Sequence, residues 1–227
     1  MGMTEYVLIP GADGRAWYWH RVVPELRARG HEAVAVDLPE DNTAGLADYT
    51  DAVIEQLDAA SGRLVVVAQS LAGFVAPLLC GRIPVEKLIL VNAMVPAPGE
   101  SAGEWWAGTG HPEARRIAAL RDGRDPEAPF DPLVDFFHDV PPEIADEALA
   151  IGPPGGPSEA LFADPWPLDA WPDVPTRFLQ GRDDRFFPLE FQRKVVAERL
   201  GVPVEPLPGG HLIALARPEQ LTDWICG

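Results

Sequence analysis

The chain has 227 residues, 47% hydrophobic and 23% charged, values that fit a globular domain and exclude a disordered or fibrous protein. Its formal net charge of -17 argues against nucleic acid as a partner, because phosphate binding needs clustered Lys and Arg. The acidic excess reads as a solvated surface, and a chain of this length buries a full core without staples.

Short apolar runs alternate with longer amphipathic ones. Tyr6-Val7-Leu8-Ile9 stops at Pro10-Gly11, the pattern of a strand buried on both faces. Val22, Val23, Leu26 and Ala28 follow at helical spacing and end at Gly30. Ala33-Val34-Ala35-Val36 reads as the second strand. Leu46, Tyr49, Val53, Ile54 and Leu57 form a helical stripe, and Leu64-Val65-Val66-Val67-Ala68 the third strand. A helix is expected from about Leu71 to Gly81, then a fourth strand at Leu88-Ile89-Leu90-Val91.

From Val95 to Pro175 this rhythm stops. The segment holds more than half of the chain's 25 prolines, together with Trp105, Trp106, Phe130, Phe136, Phe137, Phe162, Trp166 and Trp171. Short helices are expected near Pro112 to Arg121 and Pro142 to Ala150. The alternation resumes with a strand at Arg177-Phe178-Leu179-Gln180, a helix over Leu189 to Leu200, a strand at Pro203-Val204-Glu205 and a helix near Pro218 to Ile225. Alternating strand and helix implies a parallel sheet covered on both faces. The expected architecture is an α/β three-layer sandwich around a mainly parallel six-stranded sheet. Residues 1–94 and 176–227 form its core, and 95–175 an inserted helical cap, since a structureless loop of that length is improbable in a compact domain.

Cys80 and Cys226 fall in different predicted helices, which suits two free thiols in a reducing compartment. Met1-Gly2-Met3-Thr4-Glu5 carries no basic region followed by an apolar run, and Tyr6 stands where a myristoylation signal has Ser or Thr. No apolar stretch approaches the ~18 residues of a membrane span. A soluble cytoplasmic protein with no membrane partner is expected.

The sharpest chemical signal is Val65-Val66-Val67-Ala68-Gln69-Ser70-Leu71-Ala72-Gly73. A serine stands between a buried strand and a helix, with small residues two before and two after. This is the nucleophile-elbow pattern, with Ala68 and Ala72 in place of the usual glycines. The turn from strand to helix at the serine is crowded, so bulky neighbours would collide. By itself Ser70 reads equally as a helix N-cap.

The surroundings of the elbow resemble the α/β-hydrolase superfamily along nearly the whole chain. The resemblance is carried by Val7-Leu8-Ile9-Pro10-Gly11-Ala12, Trp17-Tyr18-Trp19-His20-Arg21-Val22-Val23-Pro24, Ala35-Val36-Asp37-Leu38-Pro39, Gly181-Arg182-Asp183-Asp184 and Pro208-Gly209-Gly210-His211. The layout is similar to the plant esterase and hydroxynitrile lyase branch. The resemblance implies an α/β-hydrolase fold with Ser70 as nucleophile, His211 as general base and an acid after the fifth strand. Asp183 and Asp184 both lie there, and the family spacing Gly-x-x-Asp from Gly181 selects Asp184. Asn92 occupies the alternative acid position used by some relatives. The oxyanion hole would use the backbone N–H groups of Ala12 and Leu71. Relatives usually carry His where this chain has Pro10, a change a backbone donor tolerates. The family's strand order would set the first and third strands side by side, with the site beyond their carboxyl ends. His20, His31, His111 and His138 are expected to be structural or exposed, with His138 a candidate for the pocket wall.

These residues imply a serine hydrolase that cleaves small to medium apolar carboxylic esters through an acyl-enzyme. Thioester, lactone and carbon–carbon hydrolysis use the same groups, and a non-catalytic small-molecule binder shares the fold. Hydroxynitrile lyases of the similar branch carry Lys after the histidine, where this chain has Leu212. Relatives with an Asp nucleophile are excluded by Ser70. Gly11-Ala12-Asp13-Gly14 lacks the spacing of a phosphate or dinucleotide loop, and no Cys/His cluster is present, so neither cofactor nor metal is expected. Two or three cap aromatics are expected to line an apolar pocket.

Overall fold

The computed structural model describes residues 4–57, 63–152 and 156–227. The reading of the N-terminal Met1-Gly2-Met3 lies outside the described residues. Six strands, β1 (Thr4–Ile9), β2 (Glu32–Ala35), β3 (Arg63–Gln69), β4 (Val85–Val91), β5 (Thr176–Gly181) and β6 (Val204–Leu207), form one sheet in the order β2-β1-β3-β4-β5-β6. Every neighbouring pair is parallel, with Leu8 opposite Val67 and Ala68 opposite Leu90. The first and third strands are therefore adjacent, as expected from the family layout.

The period-two alternation of each strand divides the core into two layers. Val7, Ile9, Leu64, Val66, Ala68, Leu88 and Leu90 face one side, against α2 (Leu46–Glu55), α3 (Ala76–Leu79) and α9 (Leu189–Arg199). Tyr6, Leu8, Val65, Val67, Ile89 and Val91 face the other, against α1 (Val22–Ala28) and α11 (Pro218–Cys226). This gives the three-layer sandwich.

The expected helix over Leu71–Gly81 is broken. A 3₁₀ turn at Ser70–Gly73 comes first, and only Ala76–Leu79 is α-helical. Pro77 sits in the first turn of α3, where its missing N–H and fixed φ suit a helix start and oppose a helix interior.

Between β4 and β5 lie α4 (Ala102–Thr109), α5 (His111–Arg121), α6 (Pro132–Asp135), α7 (Pro142–Ala150) and α8 (Glu159–Ala163). Helix α4 starts at a reciprocal cap: Ser101 accepts from Glu104 N while the Glu104 carboxylate accepts from Ser101 N. Three tryptophans tie this segment down. Trp105 Nε1 donates to Val95 O, Trp166 Nε1 to Phe74 O and Trp171 Nε1 to Pro96 O, so each large apolar ring also satisfies its polar edge. Phe137, Val140, Ala145 and Ala148 pack on Leu212 and on Leu215 and Ala216 of α10 (Ile213–Ala216), next to the loop that follows β6. Cys80 and Cys226 are free thiols. Among the described residues, no helix is long and apolar enough to cross a membrane.

Candidate active site

Strand β3 ends at Gln69, and Ser70 takes φ 55°, one of two non-glycine residues with positive φ among the described residues. That left-handed conformation is costly for a residue with a Cβ and is retained where the surrounding structure enforces it. Two close approaches enforce it here. A Cβ on Gly73 would stand 1.9 Å from Met94 O, so the turn fits against the chain leaving β4 only with glycine. Met94 N donates to Ser70 O at 2.9 Å across the same contact. A Cβ on Gly11 would lie 2.6 Å from Gln69 Oε1 and 3.0 Å from Ser70 Cβ, so glycine also lets the loop after β1 reach the serine.

Ser70, His211 and Asp184 come together. His211 Nε2 is 3.1 Å from Ser70 Oγ, and His211 Nδ1 is 2.8 Å from Asp184 Oδ2. All three are buried. A carboxylate only accepts, so the proton shared with Asp184 sits on Nδ1, and Nε2 presents its lone pair to the serine hydroxyl. Asp184 Oδ1 accepts from Phe186 N and Phe187 N at 2.8 and 2.9 Å, and Oδ2 also accepts from Gln180 Nε2 at 3.1 Å. Asp183 is turned away: it pairs with Arg182 at the surface and accepts from Gly209 N.

Several groups to which the sequence reading gave no such role hold the histidine loop. Asn92 Nδ2 donates to His211 O and Gly210 O, and Asn92 Oδ1 accepts from Gly181 N at 2.6 Å. Gly210 N donates to Asp139 Oδ2 at 2.8 Å, a contact from the β4–β5 segment. The Phe136 ring stacks on the His211 imidazole, with centroids 4.6 Å apart and planes 17° apart, while Phe186 and Phe187 meet it edge-on. No local pattern encodes these long-range contacts.

Ser70 and His211 open on a cavity of about 200 Å³ whose wall is mainly apolar, including Phe130, Pro132, Phe136, Phe137 and Leu212. Three of the aromatics expected to pack in the β4–β5 segment thus line it. Ala12 lies on the same wall. Leu71 stands in the first turn after Ser70, where backbone N–H groups have no acceptor within the helix. The other histidines do not line this cavity. His20 stacks on Trp17, and His31 meets the Tyr6 ring edge-on. His138 lies against Gly210. His111 is buried and bonds Phe186 O at 2.7 Å, in contact with the same aromatic group that surrounds His211.

A parallel sheet flanked by helices, with this residue set beyond the carboxyl ends of its strands, defines a hydrolase of the α/β type. The model of the alpha/beta hydrolase family matches residues 6–224, and the chain belongs to that family. It is 30% identical to a pyrethroid hydrolase of Sphingobium wenxiniae over 250 residues, covering 99% of this chain and 87% of that protein. It is 28% identical to a probable esterase of Oryza sativa subsp. indica over 252 residues, covering 99% and 96%. Among solved structures, it resembles a pyrethroid hydrolase from Sphingobium faniae (TM-score 0.72, 26% identity, 99% and 96% covered). Polyneuridine aldehyde esterase shares the fold (TM-score 0.77, 20% identity, 99% and 98% covered).

Proposed function

We propose that the chain hydrolyses carboxylic esters through an acyl-enzyme on Ser70. The observation that carries this reading is the unbroken relay from Asp184 through His211 to the Ser70 hydroxyl, opening on an apolar cavity. The serine oxygen attacks the ester carbonyl while His211 Nε2 takes its proton. The N–H groups of Ala12 and Leu71 receive the developing oxyanion. Asp184 stabilises the imidazolium, which returns the proton to the departing alkoxide. Water, deprotonated by the same imidazole, then attacks the acyl carbon and frees Ser70.

Residues 95–175 act as a cap in this reading. Phe130, Phe136 and Phe137 supply apolar walls for small to medium ester groups, and Phe136 keeps water from one face of the imidazole. Esterases and a pyrethroid hydrolase among the relatives support the choice of ester over other acyl bonds.

The test is a panel of esters varied in acyl and alcohol length, assayed with wild type and Ser70→Ala. Turnover by wild type and a kcat lower by about 10⁶-fold in Ser70→Ala is the expected outcome. Turnover that survives the substitution rejects the mechanism.

A further inference from the structure

We propose that Asp13 makes this cavity selective for esters carrying a neutral hydroxyl near the scissile bond, by accepting a hydrogen bond from that hydroxyl. The inference deepens the hydrolase reading and takes its reacting centre from it.

Asp13 follows Ala12 in the tight turn Gly11–Gly14, closed by Gly14 N donating to Gly11 O at 3.0 Å. The turn is pressed against Ser70, and Asp13 and Tyr18 lie on the same cavity wall as Ser70 and His211. Asp13 is thus one residue from an amide assigned to the oxyanion. It is an acidic side chain in an otherwise mainly apolar enclosure, and only 11% of it is exposed.

Its acceptor capacity is poorly used. An ionised carboxylate offers about four acceptor sites, and its charged hydrogen bonds are normally about 2.5–2.9 Å long. Among the described residues, the polar contacts of Asp13 are Tyr18 OH to Oδ2 and Arg15 Nε to Oδ1, both 3.5 Å. Oδ1 is buried without a hydrogen bond among the described residues. Nor is the side chain consumed by its own turn. Asp41, Asp125 and Asp131 each accept a backbone N–H two residues on, at 2.8–2.9 Å. Asp13 makes no such bond among the described residues. Burial raises its carboxyl pKa above the ordinary value, as befits a group short of donors.

A buried acceptor left unmet is costly, and one on the wall of a binding cavity is met when a ligand brings the donor. The neighbouring charge decides which donor. The Arg15 guanidinium already offsets the carboxylate, so a neutral hydroxyl gains the hydrogen bond without leaving excess charge, whereas an ammonium would add a second cation. Arg15 also donates to Gly152 O, which fixes it to the β4–β5 segment.

The experiment compares ester pairs that differ by one hydroxyl: methyl lactate with methyl propanoate, methyl β-hydroxybutyrate with methyl butyrate, and glycol monobutyrate with ethyl butyrate. The ratio of kcat/KM within each pair is measured for wild type, Asp13→Ala and the shape-preserving Asp13→Asn. Binding of the same esters to Ser70→Ala and to Ser70→Ala/Asp13→Ala is measured by calorimetry. At least one pair should favour the hydroxylated ester by about tenfold or more in wild type. That preference should fall towards unity in Asp13→Ala and decrease in Asp13→Asn. The calorimetric preference should vanish with Asp13 in the same way. Equal ratios in every pair, or a preference that persists in Asp13→Ala, overturn the proposal. Because Ser70→Ala reports binding without turnover, a failure of the hydrolase reading is seen separately, as ester cleavage that does not depend on Ser70.

Discussion

Asn92 Nδ2 donates to His211 O at 2.8 Å, joining the end of β4 to the loop that carries the imidazole. Asn92 occupies the position where some relatives keep their acid, and here it works as a clamp. It is fully buried at φ 47°, and its other contacts, Gly210 O and Gly181 N, tie the histidine loop to the end of β5. Asn92→Gly accepts the backbone conformation but lacks the amide. It should lower stability by about 2 kcal/mol or more, because buried partners lose their bonds. The same variant should lower kcat more than it raises KM, as His211 loses its support. Urea unfolding together with steady-state kinetics checks both, and a variant indistinguishable from wild type would mean that only the backbone angle matters at this position.

Two adjacent aspartates should separate cleanly. Asp184→Asn keeps the shape but loses the charge facing Nδ1, and kcat should fall on the order of 10⁴-fold. Asp183→Asn touches a surface pair and a loop amide, so kcat should stay within about threefold of wild type. Reversal of this order would assign the acid to Asp183.

The turn after Ser70 depends on the absence of a side chain at position 73. Gly73→Ala drives a methyl group into the Met94 carbonyl, backbone that cannot rotate away. A loss of about 3 kcal/mol or more is expected, at the upper end of the usual overpacking cost. Chemical denaturation of the variant tests this, and wild-type stability would refute the close packing.

Acid should destabilise the protein in part through His111. Burial is the largest cause holding its imidazole below its ordinary value near 6.5, opposed by its bond to Phe186 O and reinforced by Arg115. The folded state keeps the ring neutral where the unfolded chain binds a proton. Stability from this group is therefore complete above about pH 6.5 and is lost as pH falls through the depressed folded value. His138 is lowered as well, chiefly by burial, so the slope has two contributors. Unfolding measured between about pH 5 and pH 7 should show His111→Phe with a shallower slope, by at most about 1.4 kcal/mol per pH unit. An identical slope would exclude His111 as a contributor.

The four inner strands were legible because their carboxyl-terminal parts are buried on both faces and read as continuous apolar runs, as at Tyr6–Ile9 and Leu64–Ala68. Ser70 alone reads equally as a helix cap, so its grouping with Asp184 and His211 was legible only from the elbow pattern taken together with the family resemblance. What stayed hidden depends on tertiary contact. Asn92, Gly73 and Phe136 act on groups far away in the chain or across the sheet, and no periodicity marks them. The turn at Ser70–Gly73 was read as a continuous helix although Pro77 signals a fresh start. Helix α4 announces itself by Ser101 and Glu104 at capping-box spacing, a signal open to reading in the sequence. Helix α10 has only four residues, too few to display a period.

The most direct measurement is covalent labelling of the folded protein with a fluorophosphonate, read as a mass shift on the peptide that contains Ser70. The hydroxyl activated by His211 should take up one adduct, and Ser70→Ala should take up none. Folded wild-type protein that stays unlabelled, or carries the adduct elsewhere, would contradict a nucleophilic Ser70.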